Sequence, residues 1–249
     1  MRNLIERLSC VLNEKELSII RAGKLSRQNQ RKILTKLNKV QRDLMLYLPT
    51  FVIKNPVNNV LNLDACIMIV DVSGFTTLCE MLKKIGKRGA EEITNILNRY
   101  FTRFLEIVTM YQGDLIRFVG DSMVLLFEDN KKMKFEKELR AITAGVEISK
   151  FIAKNKVVKT SLKKINLSVH ISIHSGKVNY CILGDDQSGK RFDITGKNMN
   201  ILNQIESETS AHEIIISKDV HQKVKNDILC LKKKKDMFLL KKLKVKFDM

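Results

Sequence analysis

The sequence predicts an α+β protein, with a core that runs strand, helix, hairpin, helix and hairpin behind a basic helical extension. Three observations carry that prediction. Short β-branched apolar runs such as ACIMIV at residues 65–70 give way to turn residues, as strands do. Residues 88–110 and 135–146 instead repeat apolar side chains in steps of three and four, as helices do. The chain of 249 residues, 44% of them hydrophobic, is enough to bury one sizeable core, which excludes disorder throughout.

In chain order, residues 1–57 form the extension. Ser26 is placed to cap a helix in which Ile33, Leu34, Leu37, Val40 and Leu44 make an apolar stripe, with Arg31, Lys32, Lys36, Lys39 and Arg42 largely opposite. Such a helix packs on its own domain or, as the sharper alternative, docks on a partner or a membrane surface. Residues 48–56, carrying Pro49 and Pro56, lead into the core as an extended strand or a linker, since the residue before a proline avoids helix. The core is expected at residues 58–220. Its first strand, 65–70, delivers Asp71 at its end, and Ser73-Gly74-Phe75 turns into a helix beginning near Phe75. The long helix over 88–110 sets Ile93, Ile96, Leu97, Tyr100, Phe104 and Val108 on one face. Leu115, Ile116, Phe118 and Val119 then lead into Gly120-Asp121, after which residues 123–127 resume an apolar run: a hairpin with an acid at its tip.

Phe135, Leu139, Ile142 and Val146 mark the second helix. A strand over 165–173 alternates cleanly, and another over 178–183 follows Gly176. Residues 185–190 are a polar turn before a strand at 192–195, and 213–217 adds a further strand. This order is the split βαβ arrangement, a ferredoxin-like (βαββαβ) core with added elements. The Lys-rich segment 221–249 adds a strand or leads into a further domain, and no internal repeat is visible.

Composition narrows the function classes. Five cysteines, with no C-x-x-C spacing, support neither a disulfide framework nor a zinc site and point to a reducing, cytoplasmic setting. No apolar run approaches a membrane span, and charge interrupts the N-terminus too early for a signal peptide, so at most a peripheral membrane contact is expected. The net charge of +18 raises nucleic acid as a partner. The lysines are dispersed, however, and the few aromatics are not interleaved with them, which disfavours it.

The chemistry concentrates in IMIVDVSGFTT at residues 67–77 and GDLIRFVGDSMVLLF at residues 113–127, each placing an aspartate where a strand meets a turn. A carboxylate there is costly unless something compensates it. Magnesium prefers oxygen ligands and is usually held by one or two carboxylates together with substrate phosphates, a role that suits Asp71 and Asp121. Val72, Ser73, Gly74, Phe75 and Thr76 supply consecutive backbone N–H groups at a strand-to-helix junction, and such a nest attracts anionic oxygens. Gly74 would let a triphosphate approach closely. Taken singly, Asp71 also suits an N-cap for the following helix and Asp121 an ordinary turn residue. Among the histidines, His170 is expected on a solvated or hydrogen-bonded strand surface and His174 in a structural role; no serine stands in a triad arrangement.

VDVSGFT, RGAEEITNILNRYF, GDLIRFVGD and FDITGKNMN, in that order, resemble the motifs of class III nucleotidyl cyclase domains. Most similar is the first cyclase domain of soluble adenylyl cyclases of the bicarbonate-responsive type, which also carries Arg-Gly-Ala-Glu ahead of the long helix. The resemblance covers residues 64–220 or so. It implies a pair of domains with active sites at their interface and ATP as substrate. Two Mg2+ (or Mn2+) ions would sit on Asp71, Val72 and Asp121, and the triphosphate would lie on the turn from Val72 to Thr76. The partner domain would supply the base-reading pair together with an asparagine and an arginine.

This chain's own copies of those latter groups depart from the pattern. Arg117 stands in place of the base-reading lysine, with a planar head that does not simply substitute for an ammonium. Asp193 matches the adenine-reading aspartate and Asn200 the asparagine, while Gln204 stands where the arginine belongs. The resemblance therefore implies an adenylyl cyclase domain that supplies the metal-binding half of a shared site. Its own purine or regulatory pocket would be formed by Arg117, Asp193, Asn200 and Gln204. Only Arg117 is basic there, which disfavours bicarbonate as a ligand. A regulatory half without turnover, a guanylyl cyclase and a basic interaction module remain the alternatives.

Overall fold

The computed structural model describes residues 12–23, 26–45, 60–129, 133–183 and 191–245. It divides into two compact units, Met1–Tyr47 and Leu48–Met249. In the first, helix α1 (Glu14–Arg21) opens with a capping box in which Asn13 and Glu16 satisfy each other's backbone N–H. Helix α2 (Arg27–Met45) follows, with the Ser26 hydroxyl accepting from the Asn29 N–H at 3.3 Å. Leu12, Leu17 and Ile33 form a small core flanked by Ile20 and Leu37. Of the described part of the expected α2 stripe, Ile33 is buried and Leu37 half-buried. Leu34 is 57% exposed, because a single short helix screens little more than one i, i+4 row. The side chains of Val40, Arg42 and Leu44, and the expected extended stretch at 48–56, lie outside the described residues.

The second unit is built on a mixed sheet in the order β2-β3-β1-β6-β8-β10-β9, with β7 pairing β6 off that path. Its strands are β1 (Leu61–Ser73), β2 (Gly113–Val119), β3 (Ser122–Glu128), β6 (Ser168–Leu183), β7 (Arg191–Thr195), β8 (Ile214–Ser217), β9 (Ile228–Lys234) and β10 (Met237–Leu243). The short strands β4 (Val157–Lys159) and β5 (Lys164–Asn166) pair separately. Helices α3 (Phe75–Lys83), α4 (Gly86–Met110), α5 (Lys137–Asn155), α6 (Lys197–Ser207) and α7 (Lys218–Val224) complete the unit. The segment β2-β3-β1-β6, antiparallel throughout, is the ferredoxin-like arrangement with its additions beyond β6.

Strand β1 explains why its apolar run is continuous: residues 65–70 are all buried because β1 lies mid-sheet with both faces covered. Helix α5 packs on one face, where a Cβ on Gly145 would meet Ile171 at 3.5 Å and Met68 at 3.6 Å. On the other, Ala65, Ile67 and Ile69 join Met199 and Leu202 of α6 in one cluster. Each Ile, Leu or Met side chain so buried contributes roughly 1.5–3 kcal/mol.

Several boundaries differ from the sequence expectation. Residues 168–183 form one strand, not two, because Gly176 pairs with Ala65 inside the ladder. Its missing Cβ makes room for the Asn198 side chain, which a Cβ would meet within 2.6–2.9 Å. Ile165 belongs instead to β5. Arg88-Gly89-Ala90-Glu91 lies within α4, with Gly89 pressed so closely on the Leu82 carbonyl that no side chain fits. The Lys-rich tail forms two strands, β9 and β10. The polar turn at 185–190 lies outside the described residues.

The sequence reading also missed the buried charges at the start of α5. The fully buried Arg140 donates to the carbonyls of Tyr111, Gln112 and Glu128, tying the end of α4 to the end of β3. Beside it, Glu138 accepts from Ser175 and from Lys223. Among the described residues no helix is long and apolar enough to cross a membrane.

Candidate active site

The β1–β3 register sets Asp71 opposite Ser122, the neighbour of Asp121 in the chain. Val119 pairs with Ser122, so Gly120-Asp121 is a two-residue hairpin turn, with Gly120 at φ +63 as such turns require. The register thus brings positions 71 and 121 to the same end of the central strands. Asp71 Oδ1 accepts the Ser122 hydroxyl, and Asp121 Oδ2 accepts Thr76 Oγ1 at 2.9 Å. Asp71 is only 18% exposed, yet among the described residues neither acid has a lysine or arginine partner. Both acids are half-buried, and their partners among the described residues are hydroxyls and an imidazole, which leaves these carboxylates short of positive charge.

Beyond Asp71, β3 ends, and only β6 flanks Val72 and Ser73. Gly74 is the N-cap of α3 at φ +105, and no side chain caps that helix. The N-cap alternative for Asp71 is therefore overturned, and the first N–H groups of α3 find no side-chain acceptor at the cap. Phe75 is buried and meets the rings of Tyr100 and Phe101 edge-on at 5.7 and 5.6 Å, which anchors the helix start. A Cβ on Gly74 would lie 2.8 Å from the Asn166 carbonyl oxygen and 3.1 Å from Leu167. Packing thus demands glycine there independently of any ligand.

The remaining groups fall in two other places. Arg117 of β2 and Asp193 of β7 form an ion pair, and Asp193 also accepts from the Ile194 N–H at 2.7 Å. Asn200 and Gln204 stand one turn apart on the exposed face of α6, opposite buried Met199, Leu202 and Ile205. The structure joins Asp121 with Thr76, Asp71 with Ser122 and Arg117 with Asp193, the first two pairs at one end of the central strands, and it leaves Asn200 and Gln204 on an exposed helix face.

Of its two expected settings, solvated or hydrogen-bonded, His170 takes the second, with Nε2 in a hydrogen bond to Glu206. It pairs directly with Asp71 across β1 and β6, is 13% exposed, and places Nε2 3.4 Å from Asp71 Oδ2 and 3.4 Å from Glu206 Oε1. Nothing in the sequence signals this contact, because it depends on strand register. His174 is structural: its ring lies 2.9 Å from both Ser217 Oγ and Asn198 Oδ1 in a buried setting. Ser217 is itself occupied as the N-cap of α7, accepting from Val220 N–H.

Among the described residues no group of three or more His, Cys, Asp or Glu side chains is arranged to hold a metal ion. The paired carboxylates are hard oxygen donors, too few for a closed cage but suited to Mg2+ or Mn2+, which keep waters and share substrate phosphates. The donor set fits those ions and not zinc.

Residues 59–247 match the family described as the adenylate and guanylate cyclase catalytic domain. Adenylate cyclase type 10 of Oryctolagus cuniculus is 25% identical over 161 residues, which is 64% of this chain and 10% of the relative. Soluble guanylate cyclase gcy-31 of Caenorhabditis elegans is 24% identical over 159 residues, 64% of this chain and 21% of the relative. The chain therefore spans about a tenth to a fifth of the length of these relatives. In three dimensions it is similar to the adenylyl cyclase CyaB from P. aeruginosa, with a TM-score of 0.61 at 22% identity, over 74% of this chain and 96% of that one.

Proposed function

The chain belongs to the adenylate and guanylate cyclase catalytic domain family, and from that premise we propose that it is an adenylyl cyclase domain supplying the metal-binding half of an interface site shared with a second cyclase domain. The observation that carries this reading is the register that sets Asp71 across from Ser122, bringing to one end of the sheet two acidic residues that lack lysine or arginine partners among the described residues. In the reaction, the ribose 3′-hydroxyl oxygen of ATP bonds to the α-phosphorus while the bond from that phosphorus to the bridging oxygen breaks. Pyrophosphate leaves, the hydroxyl proton is released, and cyclic AMP remains.

Asp71 and Asp121, with the Val72 carbonyl, would hold two Mg2+ or Mn2+ ions, which when bound lower the hydroxyl's pKa and neutralise triphosphate charge. The chain's own work is to orient these oxygens, through Ser122 and Thr76, and to offer the N–H groups from Val72 to Thr76 to phosphate oxygens. Asn200 would steady the ribose in the second, pseudo-symmetric pocket. Adenine is favoured over guanine because Asp193 matches the adenine-reading position. A homodimer would lack a transition-state arginine in both sites, and loss of such a group costs on the order of a thousandfold. Gln204 and the Arg117–Asp193 ion pair favour one second reading, a regulatory half that binds nucleotide weakly.

The test is cyclic AMP production in Mn2+ by the chain alone and mixed with a cyclase domain bearing the base-reading lysine and the arginine. Synergistic output that Asp121→Asn abolishes supports the proposal. Robust output from the lone chain contradicts the role assigned to Gln204, and no output from any mixture favours the regulatory half.

A further inference from the structure

We propose that the cleft between α5 and β10 is a binding site for an amphipathic organic anion, a molecule with an apolar body and one negatively charged head. The cleft has a volume of about 770 Å3, within the roughly 300–1,000 Å3 of small-molecule sites. Apolar side chains make its floor: Val169 of β6 and Ile214 of β8 are buried there, and Leu240 and Leu243 of β10 are half-buried. Val146, Lys150 and Ala153 stand at steps of four and three on α5, so one helix face forms a wall. Strand β10 is irregular at this point. Its pairing with β9 shifts register between Leu240 and Lys242, and residues 240–243 all line the cleft instead of alternating away from it.

The rim is basic, with Lys150, Lys241 and Lys242 exposed there. Lys150 is met by Glu147 at 2.8 Å, but among the described residues neither Lys241 nor Lys242 has a carboxylate partner. Two uncompensated ammonium groups beside apolar surface complement a ligand that keeps one negative charge at the rim and buries its apolar body below. The cleft is separate from the candidate metal site. Val169 pairs with Val72 and His170 with Asp71, and successive side chains on a strand point to opposite faces, so Val169 lies on the face of the sheet away from Asp71. Binding there depends on no part of the proposed catalysis.

The experiment is isothermal titration calorimetry on the full chain without metal or nucleotide. The probe is dodecanoate below its micelle threshold, compared with dodecyltrimethylammonium, which has the same tail and a cationic head. Dodecanoate should bind at least about tenfold more tightly than the cation, and Lys241→Glu/Lys242→Glu should weaken it about tenfold. Lys163→Glu/Lys164→Glu makes the same change in net charge outside the cleft and should bind as wild type does. Ala153→Trp, at an exposed helix position, fills the cleft without removing a core side chain and should weaken dodecanoate about tenfold, with an unchanged circular dichroism melt showing that the fold is kept. The inference is overturned if dodecanoate gives no saturable heat, if the two head groups bind alike, if the two double variants weaken binding equally, or if Ala153→Trp binds as wild type does.

Discussion

Replacing Gly74 with alanine tests whether the turn after Asp71 is glycine for packing or for ligand approach. At φ +105, a non-glycine residue is strained by about 1–3 kcal/mol. The new Cβ would also meet the Asn166 carbonyl oxygen at 2.8 Å and a Leu167 methyl at 3.1 Å. The nearer of these is backbone, so it yields poorly, and such overpacking adds about 1–3 kcal/mol. Restricting the unfolded chain returns about 0.4–1 kcal/mol. At the centre of these ranges the net loss is about 3 kcal/mol, which for a unit of this size lowers Tm by about 6–13 °C. Thermal unfolding followed by circular dichroism, without metal or nucleotide, reads it directly. Gly120→Ala is the internal control: it too has a positive φ, +63, but nothing lies within 4 Å of its Cβ, so its cost is limited to about 1–2 kcal/mol. A Gly74→Ala protein that melts with wild type, or a Gly120→Ala protein that melts lower than it, would refute the packing argument.

Gln204→Arg restores a cation on the exposed face of α6, and it should raise cyclic AMP output of the lone chain in Mn2+ by at least about tenfold if the missing charge limits turnover. An unchanged rate would place the deficit elsewhere, with the Arg117–Asp193 pair as the next target. Burial of the Cys230 thiol, partly offset by Lys244, pushes its pKa from 9.0 up to about 11. The raised value means that its stabilising contribution is complete below pH 9 and disappears as pH climbs toward 11. Urea midpoints measured from pH 8 to pH 11 should therefore fall more in wild type than in Cys230→Ala; parallel curves would contradict this.

How much was legible in the sequence varies element by element. The hairpin with Asp121 at its tip, the strand leading to Asp71 and the long helix α4 were readable because each rests on a local pattern: turn residues, a β-branched run, a repeat of three and four. Strand β6 was not, because a glycine in an alternating run signals a break until the neighbour that fills its space is known. Here that neighbour is Asn198, brought in from α6. Leu34 failed for a related reason: the stripe was real, but its coverage depended on how little α1 could screen.

The order of motifs along the chain, the oxygen-rich chemistry of the paired aspartates and the glutamine in place of an arginine were all decided by the sequence, since residue type and spacing are local properties. Tertiary structure alone decided which side chains touch: Asp71 with Ser122 and His170, Asp121 with Thr76, Arg117 with Asp193. Such contacts join positions dozens of residues apart through strand register, and a shift of one residue would send every side chain to the opposite face.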